Sequence, residues 1–266
     1  MTTQAYDHSS DPNFVAYYAA ESQTAETRAR FERVRSRAIE LLAENGRRGT
    51  QDVIDIGCGA GTQAMLWAAI GHRVRALDVN QQLVSIGRER AEKSRLSIQF
   101  DVGTATALPY PDASADVVLM PELLEHVPEW ERCLDEAVRV VRPGGLVYLQ
   151  TSNWLCPVQH EFKLPAYSWY PPALKRWCER KAVTTHPHWV EHARYPAVNW
   201  FSFYGLSRWF QARGFRTLDR FDLISKRTLA TPARVAVGAL RALPPLRVLG
   251  HMATDGTTVW ALRNRP

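Results

Sequence analysis

The chain has 266 residues, 45% of them hydrophobic, enough for one large α/β domain with an added substrate-covering element and too few for two independent enzymes. Its net charge of +6 comes from basic residues spread along the chain without a dense run; nucleic acid is therefore not an expected partner, while an anionic substrate or membrane surface stays open. No stretch reaches the roughly twenty apolar residues that cross a bilayer, Met1 to Asn13 lacks a signal-peptide core, and Cys58, Cys133, Cys156 and Cys178 show no CxxC pairing, so a soluble, reduced, cytoplasmic chain is expected.

Taken in order, residues 1–12 read as a polar tail. From about Phe14 to Asn45 the spacing of Phe31, Val34, Ala38, Leu41 and Leu42 predicts an amphipathic helix stopped by Gly46. Val53-Ile54-Asp55-Ile56 predicts a short buried strand, and Gly57-Cys58-Gly59-Ala60-Gly61 then turns the chain into a helix over Gln63 to Ile70. Glycine there takes angles closed to side chains and lets a ligand lie on bare main chain. The spacing is GxGxG, with Thr62 where the third glycine of a dinucleotide fingerprint would stand, which favours a nucleoside without a pyrophosphate. This, with the lack of a Tyr-xxx-Lys dyad, argues against a nicotinamide-dependent oxidoreductase. A second strand, Arg73 to Leu77, finishes on Asp78 beside Val79. An acid at that strand tip accepts hydrogen bonds from ribose hydroxyls; the plainer alternative is a cap for the helix starting near Gln81.

The third strand is expected over Leu96 to Val102. The fourth, Asp116 to Met120, delivers Pro121 and Glu122 to the carboxyl edge, where open parallel sheets bind ligands. A helix from Val127 to Val141 carries core positions, and Gly144-Gly145 is expected to turn into a fifth strand over Leu146 to Thr151. Residues 154–203 hold Trp154, Trp169, Trp177, Trp189 and Trp200 among many prolines, tyrosines and histidines. They read as a cap inserted after the fifth strand, lining an acceptor pocket, packing as a core of their own, or both. A helix over Tyr204 to Arg213, a sixth strand over Arg216 to Leu223 and a seventh over Thr257 to Arg263 follow. Thr231 to Gly250, with Thr231 as cap and Pro232 at the first helical position, mixes leucines and arginines. It reads as a packed helical hairpin, or one that touches a membrane surface.

Several pieces match one family. Asp55 to Gly61, Leu108-Pro109-Tyr110-Pro111-Asp112, Asp116-Val117-Val118, Glu122-Leu123-Leu124-Glu125-His126-Val127 and Val141-Arg142-Pro143-Gly144-Gly145 stand in the order and spacing of a class I S-adenosylmethionine-dependent methyltransferase. Within it the chain most resembles the ubiquinone-biosynthesis O-methyltransferases. The resemblance covers about a hundred residues, Asp55 to Asn153, mostly the cofactor half, and says little of the acceptor. It implies a single Rossmann-like α/β domain: a seven-stranded, mostly parallel sheet with an antiparallel last strand and helices on both faces. The expected division is an arm and helix at 1–45, a cofactor core at 46–153, the cap at 154–203 and the last helices and strands at 204–266.

The cofactor so implied is S-adenosyl-L-methionine. Asp55, Gly57, Cys58, Gly59 and Gly61 would form its berth, with Asp78 and Val79 at the ribose and Pro121 and Glu122 at the fourth strand tip. Arg33 or Arg37 would meet its carboxylate, the plainer alternative being a solvated arginine; Tyr17 and Tyr18, read from the sequence alone, either close over the cofactor from the arm or form a surface aromatic pair. At the third strand tip, where the family commonly has GDA, the chain has Gly103-Thr104-Ala105, so Thr104 and Ala105 must recognise the purine edge without a carboxylate.

Methyl transfer from a sulfonium requires an acceptor atom held about 3 Å from the methyl and in line with the breaking bond. A hydroxyl acceptor gains from a base, and His126, just past the fourth strand, is the candidate; its alternative is to bond backbone and hold the turn. His160 is a further acceptor-side candidate. His188 and His192 with Glu191 have helical spacing, but no third ligand is patterned, so no metal is expected. The reading is methyl transfer to a small-molecule acceptor at oxygen. The alternatives are a lipid or glycan acceptor at the membrane surface, or a methyltransferase-like binding protein without turnover.

Overall fold

The computed structural model describes residues 12–158, 162–189, 199–224 and 230–265. The expected tail, His160, Glu191 and His192 lie outside the described residues. The predicted first helix is two: α1 (Pro12–Glu21) and α2 (Ala25–Glu44). Thr24 makes the break, its hydroxyl accepting the N–H of Thr27 as an N-cap. Gly46, at φ 74°, ends α2 as expected.

Seven strands form one sheet in the order β3-β2-β1-β4-β5-β7-β6, with the last strand antiparallel. They are β1 (Asp52–Ile56), β2 (Arg73–Asp78), β3 (Ile98–Val102), β4 (Ala115–Pro121), β5 (Val141–Ser152), β6 (Phe215–Leu218) and β7 (Gly256–Arg263). Between β1 and β2 runs α3 (Thr62–Ala68), between β2 and β3 α4 (Gln81–Lys93), and between β4 and β5 α5 (Trp130–Val140). The parallel pairing of β1 with both β2 and β4 puts the reversal of strand order between β1 and β4. The crevice at a parallel sheet's carboxyl edge opens at such a point.

The opposite edge is closed by charge. Asp52 pairs with Arg73 and Arg142, while Asp116 pairs with Arg47 and Arg142 and accepts the Asp52 N–H at 2.9 Å. The Arg73 hydrogen bond does most to hold the Asp52 carboxyl down at about 2, against its partial burial. The expected turn at Gly144-Gly145 falls within the span of β5, which begins at Val141, and Gly144 keeps a turn-like φ of 77° there. Gly145 is pressed there: a Cβ would sit 2.8 Å from the Asp116 carbonyl oxygen. The helix predicted over Val127 to Val141 begins only at Trp130, after a single tight turn over Leu124–His126.

By its contacts the chain divides into two compact units, residues 1–149 with 262–266, and residues 150–261. The second holds α6 (Pro172–Thr184), α7 (Phe203–Gln211), α8 (Thr231–Ala242) and α9 (Pro244–Met252). Its aromatics build a core: Phe162 stacks on Tyr167 at 4.0 Å, Cys178 and Ala182 are buried with them, and Tyr170, Trp189 and Trp200 pack against the group. Trp154, Trp169 and Trp177 remain exposed. The Thr231 to Gly250 stretch is the packed hairpin α8–α9, divided at Leu243, where Pro244 starts a new helix; Ala230, not Thr231, takes the cap position. The sixth strand is shorter than predicted because Asp219 turns the chain, accepting the N–H groups of Phe221 and Asp222.

Candidate active site

In-register pairing places Ile56 opposite Leu77, so the glycine loop emerges beside the tip of β2. The N–H groups of Gly57 and Cys58 donate to the Leu77 carbonyl at 2.8 and 3.0 Å. One residue on, the Gly59 N–H donates to Asp78 Oδ2 at 2.8 Å, and the Asn80 N–H to Asp78 Oδ1 at 2.8 Å. The loop and the acid of the neighbouring strand are thus one hydrogen-bonded unit. Burial raises the Asp78 carboxyl above its ordinary range, opposed by the N–H donors of Asn80, Gly59 and Val79. The plainer capping role belongs to Asn80, whose side chain accepts from Gln82 and Leu83 at the start of α4.

The three loop glycines all have positive φ but serve different ends. At Gly61 a Cβ would meet the Phe100 ring at 2.8 Å, so its bareness lets α3 pack on β3 and α4. At Gly57 a Cβ would lie 3.0 Å from Leu123 Cδ1. At Gly59 no atom comes within 4 Å of that position, so the bare main chain there faces open space. Sequence spacing treats the three alike; the structure leaves the ligand-facing role to Gly59.

Beneath the loop Asp55 is buried, and neither carboxylate oxygen has a hydrogen-bond partner of normal geometry. Burial above all, with the nearby Asp78 adding to it, pushes its carboxyl up to about 7, offset in part by the Ala64 N–H. Both side-chain polar atoms of Gln63 are buried and unpartnered as well. Unsatisfied polar groups beside a loop that faces open space are a mark of a site rather than of a core. Burial also pushes the half-buried Cys58 thiol up, next to Asp78 and Asp55, which disfavours the thiolate. Beside the carboxylates, Val79 at the tip of β2 and Val102 at that of β3 are both exposed, and Asp78 stands in register with Val102. A flat apolar group would be received between such tips.

At the tip of β4, Glu122 has φ 52°, a rare conformation for a non-glycine residue. Its carboxylate is bound by both terminal nitrogens of Arg30, from α2. Burial opposes the Arg30 charge, but Glu122 outweighs it and holds the guanidinium above its ordinary value. The two arginines expected here lie elsewhere. Arg37 pairs with Glu40 at 2.7 Å, and the exposed Arg33 lines a groove with Glu32 and Glu40. Helical phase does not single out Arg30: it precedes the buried Val34 by four residues, but Arg37 precedes the buried Leu41 by the same four, and only Arg33 falls well off that face.

The amino-terminal arm lies beside the loop. Val15 packs with Ala60 and Leu83, Arg90 donates to the Ala19 carbonyl at 2.9 Å, and Gln23 donates to the Thr62 hydroxyl at 2.7 Å. Tyr17 meets Tyr18 edge to face at 5.3 Å in that arm. Thr104 is exposed and turned on its own loop, accepting the Thr106 N–H at 3.2 Å, while Ala105 is buried. Pro121 ends β4, and His126, half-buried, closes the tight turn beyond it with its N–H on the Leu123 carbonyl at 3.0 Å. Among the described residues no group of side chains could hold a metal ion, and no helix is long and apolar enough to cross a membrane.

Residues 54–149 match the model of a family described as a methyltransferase domain. A ubiquinone biosynthesis O-methyltransferase of Methylocella silvestris is 41% identical over 101 residues, which are 38% of this chain and 40% of that protein. The chain thus spans less than half the length of the curated relatives it matches. Among solved structures, a protein of Methanosarcina mazei described as an S-adenosylmethionine-dependent methyltransferase aligns with a TM-score of 0.52 at 18% identity, over 85% of this chain and 98% of that one. The [4+2]-cyclase SpnF aligns with a TM-score of 0.51 at 22% identity, over 86% and 82%. Both share the fold, and the second carries a different reaction on it. Residues 54–149 are therefore a methyltransferase domain, and the chain is built on the fold of the class I S-adenosylmethionine-dependent methyltransferases.

Proposed function

We propose that the chain transfers the methyl group of S-adenosylmethionine to an oxygen of a small-molecule acceptor. The observation that carries this is the 2.8 Å bond between Gly59 and Asp78, made where a Cβ on Gly59 would find nothing within 4 Å. A bare main chain and a strand-tip carboxylate fixed to each other suit a ribose laid against the loop. The unpartnered Asp55 and the exposed Val79 and Val102 fit the same group.

Asp78 would hold the ribose hydroxyls, whose N–H-bonded oxygens keep further lone pairs for accepting. Gly57, Cys58, Gly59 and Gly61 would line the berth, with Asp55 supporting it from below. Val79, Val102, Thr104 and Ala105 would receive the purine, Pro121 and Glu122 would border the berth at β4, and Tyr17 would cover it. Arg30, rather than Arg33 or Arg37, would meet the carboxylate of the methionyl end, once it exchanges partners with Glu122. When bound, the cofactor supplies an electrophilic methyl group on a sulfonium. The protein's part is then mostly positioning, worth several orders of magnitude in rate. His126 would take the proton of a hydroxyl acceptor, being an imidazole set at the carboxyl edge just past β4. The aromatic-rich segment 154–203 would select the acceptor.

Calorimetry separates the cofactor reading from its rival: S-adenosylhomocysteine should bind and NAD should not. Incubation with labelled S-adenosylmethionine and a metabolite extract should then give a labelled, base-stable ether. Binding without any labelled product would favour a sensor over an enzyme.

A further inference from the structure

Residues 223–254 contain no aspartate or glutamate but hold Lys226, Arg227, Arg234, Arg241 and Arg247. On the hairpin α8–α9 built from this stretch, the usual polarity is inverted. Arg241 turns inward to the carbonyl oxygens of Phe221, Asp222 and Ile224, and Arg247 to the carboxylates of Asp219 and Asp222. Four large apolar side chains stand outside: Val235 is 67% exposed, Leu249 58%, Leu243 51% and Leu246 38%, while Val237 is buried. A hairpin that turns two arginines inward and leaves these four side chains in water has an apolar face still to be covered.

The tip is suited to a medium without water. Pro244 and Pro245 have no N–H, the Leu243 N–H donates to the Ala239 carbonyl at 2.9 Å, and the Arg247 N–H to the Leu243 carbonyl at 3.1 Å. Leu243, Pro244 and Pro245 can therefore enter an apolar layer without a backbone donor losing its partner. Neither helix can cross the layer: the twelve residues of α8 reach about 18 Å against a hydrocarbon core of about 30 Å.

We propose that α8–α9 is a peripheral membrane anchor that seats on an anionic phospholipid surface. Its leucines immerse at the level where headgroups meet acyl chains, and the exposed Arg234, preceded by Lys226 and Arg227 in an acid-free sequence, supplies attraction to the lipid charge. Such a helix pair lies on a bilayer, held by buried apolar area and by charge together. The proposal stands apart from methyl transfer and is read without it.

The test is flotation of the full chain with vesicles of phosphatidylcholine mixed with phosphatidylglycerol, against phosphatidylcholine alone. The mixed vesicles should carry the chain, less so in high salt. The triple variant Leu243→Ser, Leu246→Ser, Leu249→Ser should bind about tenfold or more weakly, because each leucine gives up apolar burial. These side chains are exposed, so its thermal unfolding should match the parent's. Should it misfold, Val235→Ser with Leu249→Ser repeats the measurement. Failure of the parent to float, or flotation unchanged in the variants, overturns the proposal. So does a parent dimer that the substitutions dissociate, which would mean that a second copy covers the face.

Discussion

Asp78 already engages both carboxylate oxygens with backbone N–H groups, so its geometry is set before any ligand arrives. Asp78→Ala should lower S-adenosylhomocysteine affinity by about 1 to 3 kcal/mol, roughly five- to 150-fold, in calorimetry. Unchanged affinity would remove the ribose role. Asp55 makes a different prediction. Its folded carboxyl, near 7, lies above the unfolded value, so the folded state binds the extra proton. That contribution is complete below the unfolded value near 4 and is lost as pH rises to about 7. The chain should lose stability across that window, by up to a few kcal/mol, and Asp55→Asn should flatten the slope in denaturant melts. An equal slope in both proteins would mean that Asp55 stays ionised in the fold. His126→Ala should abolish turnover and leave cofactor affinity intact; loss of folding instead would give the residue to the turn.

At the scale of the element, the glycine loop tests its own division of labour. Gly61→Ala forces a methyl against Phe100 at 2.8 Å and at φ 77°, so it should destabilise the chain by about 2 kcal/mol or more in thermal melts. Gly59→Ala meets no atom and pays only for φ 51°, a milder cost, yet it puts a methyl where the ligand lies. Its melting point should move less than that of Gly61→Ala while its cofactor affinity falls more. The sequence announces this loop because its constraint is local: β-branched strand, small residues, acid at the next strand tip. β2 is read to the residue, Arg73–Asp78, for the same reason. Where tertiary contact decides, reading from sequence fails. Pro143-Gly144-Gly145 has the composition of a turn and bends at Gly144, at φ 77°, yet close packing of Gly145 against Asp116 and Val141 holds the segment within β5. Thr24 caps a helix inside what the apolar pattern makes continuous, since its neighbours are compatible with either path. The Arg30–Glu122 contact spans 92 positions, and the helical phase of α2 does not tell Arg30 from Arg37, which stands on nearly the same face.

For the molecule as a whole, the family match ends at Leu149, where the first compact unit also breaks. The residues assigned to the cofactor, from Tyr17 to Glu122, belong to that unit, whose strands and turns follow a shared local grammar. Residues 150–261 have no such motif. Their tryptophans and tyrosines signal only bulk, and bulk can line a pocket or fill a core; Phe162, Tyr167 and Trp200 turned out to fill one. The two units should therefore answer separately to mutation. Phe162 is fully buried and stacked on Tyr167, so Phe162→Ala leaves a cavity worth about 3 to 5 kcal/mol in the second unit. If acceptor choice rests there and cofactor binding in the first unit, this variant should lose most of its turnover. Its affinity for S-adenosylhomocysteine should stay within about twofold of the parent, a difference under half a kcal/mol. Hydrogen exchange should show loss of protection in α6 and around Tyr167, with β1 and β2 unchanged. A parallel fall in cofactor affinity would instead mean that the two units unfold together as one cooperative body.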